Sequence, residues 1–331
     1  MHLSLTCRAR RLVIALSALL IIAGCSTTSG QTASPDANKD ASGNQTNQTY
    51  ATTAEVLDAV KEAEGVQKLP DSVVRGLAVT DFGKLKKPFD CHSVDNPSDA
   101  ENFGECAYGD PAGKKLMVLY GDSHAEGWAM PLETVAKLNG WQLRVFDKHA
   151  CPGADLHFRN PQTRTADDKC DMFHSTAPEA VTGLRPDLVI LASSANWPLA
   201  DGTWPTADQW QAGWKTTFDK LARPGSRSVM LGGFPEWPSS DERCLAAHIN
   251  AAQECSTPTA DAEKSIHLDA EQAAAAAAGA PYIPTMQWIC ADRCEPVIAD
   301  IRVFQGQYHL SGPFTAYLTG AIGEALKPLL V

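Results

Sequence analysis

The stretch "KKLMVLYGDSHAEGW", residues 114–128, decides how the rest of the chain is read. An apolar run, Leu116 to Tyr120, breaks off at Gly121-Asp122-Ser123-His124. A short run of this kind suits a strand buried on both faces, and a glycine at its end permits a tight turn. Working outward, "AMPLETVAKLNG" predicts a helix stopped at Gly140, and "WQLRVF" predicts a second strand. "DLVILAS" and "SVMLGGF" predict a third and a fourth strand, with "PYIPTM" as a short fifth. Helical spacing marks "TADQWQAGWKTTFDKLA", the Ala-rich "DAEKSIHLDAEQAAAAAAGA" and the closing "GPFTAYLTGAIGEALKPLL". Apolar strands alternating with helices predict an α/β fold: a three-layer α/β/α sandwich around a mainly parallel sheet, flavodoxin-like in outline.

Upstream, "RARRLVIALSALLIIAGCS" has a basic start, an apolar run from Leu12 to Ile22, and small residues. The run is short for a membrane span and reads as a signal peptide over residues 1–24. Ile22-Ala23-Gly24-Cys25 resembles a bacterial lipobox, which implies lipidation of Cys25 by fatty acyl chains such as palmitate. Residues 25–52 are polar and low in complexity, a flexible lipidated tether with a typical reach of ~30 Å. Residues 53–113 form an N-terminal helix and cysteine-loop extension, and 114–331 the main domain. The helix is signalled by the capping-box spacing of Thr52 and Glu55 and by a stripe of Val56, Ala59, Val60 and Ala63.

The 331 residues carry a formal charge of −11. Loss of the leader removes Arg8, Arg10 and Arg11 and no acids, which leaves 25 basic residues against 39 acidic ones. Nucleic acid is excluded as a partner, because its phosphates would be repelled. Beyond Cys7 and Cys25, eight cysteines remain, an even number consistent with an oxidising compartment. Many pairings are open; the spacing suggests four local loops, Cys91–Cys106, Cys151–Cys170, Cys244–Cys255 and Cys290–Cys294. Zinc is the competing reading of the closely spaced Cys290 and Cys294, but no second close Cys/His pair accompanies them. Neither a metal nor another cofactor is expected.

Ser123 would sit at the carboxyl end of a parallel strand, where sites in such sheets lie. A following helix would aim its N-terminal amides at a developing oxyanion. A nucleophilic serine needs a base, and "YHLSGPF" offers His309 just before the last helix. Nine histidines compete for that role, so spacing alone does not single it out.

Gly121-Asp122-Ser123-His124 with the late His309-Leu310-Ser311 resembles the SGNH (GDSL-like) hydrolase superfamily. The ordered set Leu69-Pro70, Cys91, Cys151-Pro152, and Trp288-Ile289-Cys290 with Cys294 is similar to the extracytoplasmic SGNH domains fused to acyltransferase-3 proteins, which O-acylate envelope glycans. The similarity spans roughly residues 55–331, without the membrane acyltransferase domain, whose place a lipid anchor would take. The resemblance implies Ser123 as nucleophile and His309 as base. It implies an oxyanion hole from the Ser123 amide, Asn196 and, more loosely, Gly153. Asp122 and His124 read as structural. The implied partners are an envelope glycan or glycolipid and a membrane acyltransferase or acyl-donor protein, and the implied location is the outer face of a bacterial cell membrane.

One departure stands out. The family carries Asp three residues before the histidine, and this chain has Gly306 there, between Gln305 and Gln307. A dyad held by a backbone carbonyl or Gln, an acid from elsewhere such as Asp300 or Asp292, and a site that only binds are the three readings that follow. Trp197, Trp204, Trp210, Trp214, Trp237 and Trp288 would line a sugar cleft or, more commonly, fill the core. Glu236 and Asp241 read as a polar loop.

Overall fold

The computed structural model describes residues 50–77, 107–195, 197–235, 242–262, 265–306 and 308–331. The leader, residues 25–49 of the expected tether with Cys25, and the Cys91–Cys106 pair lie outside these residues. Helix α1 (Thr53–Ala63) starts with the expected capping box of Thr52 and Glu55, and it buries Val56, Val60 and Ala63. Helix α2 (Asp71–Leu77) follows. Then come β1 (Ala107–Gly109), β2 (Lys115–Gly121), α3 (Ser123–Asn139) and β3 (Trp141–Asp147). Next are α4 (Asp168–Gly183), β4 (Leu188–Ala192), α5 (Ala207–Leu221), β5 (Arg227–Leu231) and α6 (Glu242–Ala247). Short elements β6 (Thr257–Pro258) and α7 (Thr259–Ala262) lead to α8 (Ser265–Ala277) and β7 (Tyr282–Ile283). The last stretch holds β8 (Arg293–Cys294), β9 (Val297–Ile298), β10 (Ile301–Arg302), β11 (Phe304–Gln305), β12 (His309–Leu310), α9 (Gly312–Tyr317) and α10 (Thr319–Leu326).

The main sheet has the order β1-β3-β2-β4-β5-β7, all parallel except the edge strand β1. The alternation of side chains along β2 splits its apolar run between two cores, since successive residues point to opposite faces. Met117 and Leu119 join α1, α3 and α10 on one side. Val118 and Tyr120 join α4, α5 and α8 on the other, with Phe173, Trp210 and Trp214. The layers are therefore helix, sheet, helix, and β2 reads as continuously apolar because both its faces are covered. The chain steps from β2 out to β3, then crosses back to β4 on the other side of β2. The order thus reverses at β2, and its carboxyl end opens into the crevice where such sheets bind ligands.

Two elements depart from the sequence expectation. Helix α4 was not anticipated from its spacing; Pro178 lies inside it, and its apolar face is spelled partly by Cys170 and His174. The closing helix is two helices, α9 and α10, joined at Leu318. Three disulfides are present as the loop spacing suggested: Cys151–Cys170, Cys244–Cys255 and Cys290–Cys294. Among the described residues no helix is long and apolar enough to cross a membrane.

The close approach of β2 and β4 requires the glycine at the strand end. A Cβ on Gly121 would lie 1.8 Å from the Ala192 carbonyl oxygen and 2.9 Å from the Ala125 methyl. Gly121→Ala must push β4 away from β2, so equilibrium denaturation should show a loss of about 3 kcal/mol or more. A variant as stable as the parent would mean that the strands separate there without cost.

Candidate active site

Ser123 is the first residue of α3 and stands where β2 turns into the helix. Asp122 is the helix N-cap in an extended conformation. One of its carboxylate oxygens accepts the His124 amide at 2.9 Å. The other accepts the Ser193 hydroxyl at 3.0 Å and the Ser194 amide at 2.9 Å, both just past β4. Ser193 Oγ in turn accepts the Gly153 amide at 2.9 Å. Asp122 thus ties the turn that carries Ser123 to the loop after β4 and, through Ser193, to the loop after β3. Its burial pushes the carboxyl up to about 6, against the lowering effect of the Ser194, His124, Ser193 and Ala125 donors. At neutral pH it stays ionised and keeps those bonds.

His309 lies in β12, which pairs with β11 as a two-stranded ladder outside the main sheet. Its Nε2 is 3.0 Å from Ser123 Oγ, although the two residues are 186 positions apart. With the imidazole nitrogen as acceptor, this is the hydrogen bond through which a base activates a serine. Ser123 is half-buried and His309 exposed, so the pair faces an open surface.

His124 follows Ser123 directly on α3. Its ring stacks on Phe234 with centroids 4.1 Å apart and meets the His309 ring edge-on at 5.4 Å. It also hydrogen-bonds the Tyr308 backbone. Burial, helped by the charge of His309, pushes its pKa well below the usual imidazole range. A neutral His124 packs beside the His309 ring without adding a positive charge there.

The remaining sequence candidates divide. Gly153 reaches the site region, but its amide is engaged by Ser193, so a bond from it to an oxyanion requires releasing that hydroxyl. Its carbonyl is held by Thr217 Oγ1 at 2.7 Å. Asn196, Gln307, Glu236, Trp237 and Asp241 lie outside the described residues. Neither Asp292 nor Asp300 makes a hydrogen bond or ion pair with His309: the Asp292 backbone amide bonds Glu64 at 3.0 Å, and Asp300 occupies the turn between β9 and β10. Trp210, Trp214 and Trp288 are core residues, whereas Trp197 is half-buried and Trp204 is 56% exposed.

Among the described residues, three side-chain groups have metal-ligand chemistry. In two of them, Cys151/Cys170/His174 and Cys244/His248/Cys255, the sulfurs are already joined as disulfides. The third, Glu126, Asp147 and His149, is closed by its own contacts, with His149 Nε2 at 2.7 Å from Glu126 and 3.5 Å from Asp147. Burial first, and the Glu126 charge second, push Asp147 up to about 7.

Sequence reasoning did not foresee Ser193, Phe234 or Glu271. Glu271 of α8 is fully buried and accepts the Gly233 amide at 3.1 Å, bracing the loop that carries Phe234 under His124. Its oxygen also accepts Trp210 Nε1 at 3.3 Å.

A sandwich of this topology, with a serine at the end of its central strand and a histidine just before the closing helices, has the SGNH-hydrolase type of fold. The chain belongs to the family described as the SGNH domain (fused to AT3 domains), whose model matches residues 90–324. Membership ties it to acyl-group chemistry of the SGNH type. The periplasmic domain of the Salmonella ser. Paratyphi A lipopolysaccharide acetyltransferase shares the fold at 17% identity and TM-score 0.53, over 83% of this chain and 98% of that one. A GDSL-like lipase from Bacteroides thetaiotaomicron aligns at 17% identity and TM-score 0.40, over 65% of this chain and 88% of that one. No curated protein sequence matches the chain.

Asp122, Asp147 and Glu271 are all raised above ordinary carboxylates, to about 6, 7 and 8, mainly by burial. The folded state therefore holds these protons more tightly than the unfolded one. Their contribution to stability is full below about pH 4 and is lost as pH climbs through those values, at most about 1.4 kcal/mol per pH unit for each group. Melting temperature should fall between pH 5 and 8. Glu271→Gln, which keeps an acceptor for Gly233, should remove roughly a third of that slope. Parallel profiles for the two proteins would show that Glu271 titrates normally.

Proposed function

We propose that this is a lipid-anchored, extracytoplasmic SGNH serine acyltransferase or esterase acting on O-acyl groups of a cell-envelope glycan or glycolipid. The observation that carries the reading is the 3.0 Å approach of His309 Nε2 to Ser123 Oγ. Family membership supports the acyl chemistry, and the AT3 association supports a membrane acyltransferase or acyl-donor partner. The solved acetyltransferase domain is periplasmic, in keeping with the leader, the lipobox-like Cys25 and the disulfides here.

In the proposed reaction Ser123 Oγ attacks the acyl carbonyl carbon while His309 Nε2 takes its proton. The carbonyl oxygen becomes an oxyanion that accepts the Ser123 amide at the start of α3 and the Asn196 side chain; Gly153 joins them only by letting go of Ser193. Collapse expels the donor alkoxide, which takes the proton from His309 and leaves an acyl ester on Ser123. An acceptor hydroxyl, or water, then gives its proton to His309 and attacks the ester carbonyl; as the Ser123 Oγ–acyl bond breaks, His309 returns that proton to Oγ and the serine is free. Asp122 stays in place throughout as a brace.

Gly306 supports a second reading, because it stands where the family has its orienting acid. On that reading the domain is catalytically degenerate and binds acylated glycan or a membrane acyltransferase. A fluorophosphonate probe separates the two. The enzyme reading predicts covalent labelling of the folded protein that vanishes in Ser123→Ala and slows about 10²–10⁴-fold in His309→Ala. A folded wild-type protein that takes up no probe would leave only the binding module.

A further inference from the structure

The base at the site sits on a weak support. Strands β11 and β12 pair through only Phe304 with Leu310 and Gln305 with His309. A ladder this short does not hold its shape alone, so the ring position depends on ties from outside. On the α3 side the hairpin is held by His124 and by Ser123 itself. At its base the Ser311 amide bonds the Val303 carbonyl at 2.8 Å. The turn itself, at Gly306, is gripped by a residue from another part of the chain: the Gly306 amide donates to Glu242 Oε1 at 3.0 Å. The same oxygen faces Arg302 Nη1 at 3.5 Å, and both side chains are largely shielded from solvent.

Glu242 is itself well anchored. It opens α6, whose Cys244 is bridged to Cys255. Leu245 and Cys255 pack with Leu69, Val73, Ala252 and Val297 in a small core of their own. The Leu69 amide bonds the Ile249 carbonyl at 2.8 Å, and the Ala252 amide bonds the Gln67 carbonyl at 2.7 Å. A carboxylate on this base accepting a backbone N–H is a charge-assisted bond, among the stronger kinds.

We infer that Glu242 is a positioning residue of this site: its carboxylate fixes the turn at Gly306 and so holds His309 Nε2 in line with Ser123 Oγ. This rests on the Ser–His reading above. The ring touches the reacting atoms and Glu242 does not; it acts through the backbone of the hairpin. Displacement of a catalytic group by about 1 Å costs on the order of 10²-fold in rate, so a loosened turn should be visible in the chemistry. Removal of the acceptor should therefore slow acylation of Ser123 and leave reagent binding alone.

The test uses the whole folded domain with Glu242→Ala and Glu242→Gln, and reads two quantities. Backbone amide exchange over residues 303–311 reports the clamp without any turnover, and the acylation rate with a fluorophosphonate or an activated ester reports its consequence. Glu242→Ala should speed exchange in that segment about tenfold and cut the maximal acylation rate about 10–100-fold with half-saturation unchanged. Glu242→Gln retains an oxygen for Gly306 and should recover most of both, which a general loss of structure would not do. Unchanged exchange in the alanine variant, faster exchange with full acylation rate, or a glutamine variant as impaired as alanine would each overturn the inference. If the alanine variant does not fold, Glu242→Asp, which cannot reach as far, is read by the same two measurements and the same outcomes. A wild-type protein that fails to react, while exchange still responds to Glu242, would overturn the Ser–His reading and the catalytic role of the clamp together.

Discussion

A single buried carboxylate holds the reactive end of this sheet together. Asp122 is 1% exposed, and its two oxygens accept bonds from His124, Ser193 and Ser194. Removing a carboxylate from water is unfavourable unless its lone pairs are filled, and here donors from two segments, the start of α3 and the loop after β4, fill them. The charge is therefore tolerable only when β2 and β4 are in register, and Ser193 extends the tie to the loop after β3. That makes the local arrangement cooperative: the turn that presents Ser123 and the loop that carries Gly153 through Ser193 stand or fall as a unit. Asp122 does not need to touch a substrate to matter, because it decides where the serine and its neighbouring amides are.

The two halves of the site are built on different principles. Ser123 belongs to a strand buried on both faces and to a 17-residue helix, so its position follows from the main sheet. His309 belongs to a region of two-residue ladders where backbone pairing alone is thin. Compensation comes from covalent and packing constraints: the Cys244–Cys255 and Cys290–Cys294 bridges, and the burial of Phe304, Leu310 and Phe314 in the larger core. Such bridges limit the unfolded chain as well as the folded one, which suits a segment with little sheet to stabilise it. His124 then joins the two halves, stacked on Phe234 from one side and meeting His309 on the other.

The sandwich was legible because its strands are continuous apolar runs and most helices carry a clean periodic face. Val118 and Leu119 point into opposite cores, and a fully covered strand has no polar alternation to disguise it. Helix α4 was not legible, since Pro178 interrupts its interior and a disulfide cysteine and a buried histidine supply part of its inner face. At the site, Ser123 could be located from its strand and turn, but His309 was singled out from nine histidines only by resemblance to a family. Ser193, Phe234 and Glu271 left no signal. Their partners lie 38 to 110 positions away, for instance Gly233 for Glu271 and His124 for Phe234, and only the fold brings them together.

The glycine at 306 is coherent with where the histidine stands. Gly306 has φ +67, in the left-handed region, and its amide faces Glu242. In a buried triad the acid is needed for two tasks, to orient the imidazole and to stabilise the imidazolium that forms away from water. On the proposed Ser–His reading, the hairpin ties and the ring edge against His124 contribute to orientation. His309 is exposed, so on that reading solvent shares in stabilising the cation. An imidazolium in contact with water does not carry the desolvation penalty that makes a partner carboxylate indispensable in a closed site. On the proposed reading, the same exposure would admit water to an ester on Ser123, so selectivity for an acceptor hydroxyl would have to come from how that acceptor covers the pair once it is bound.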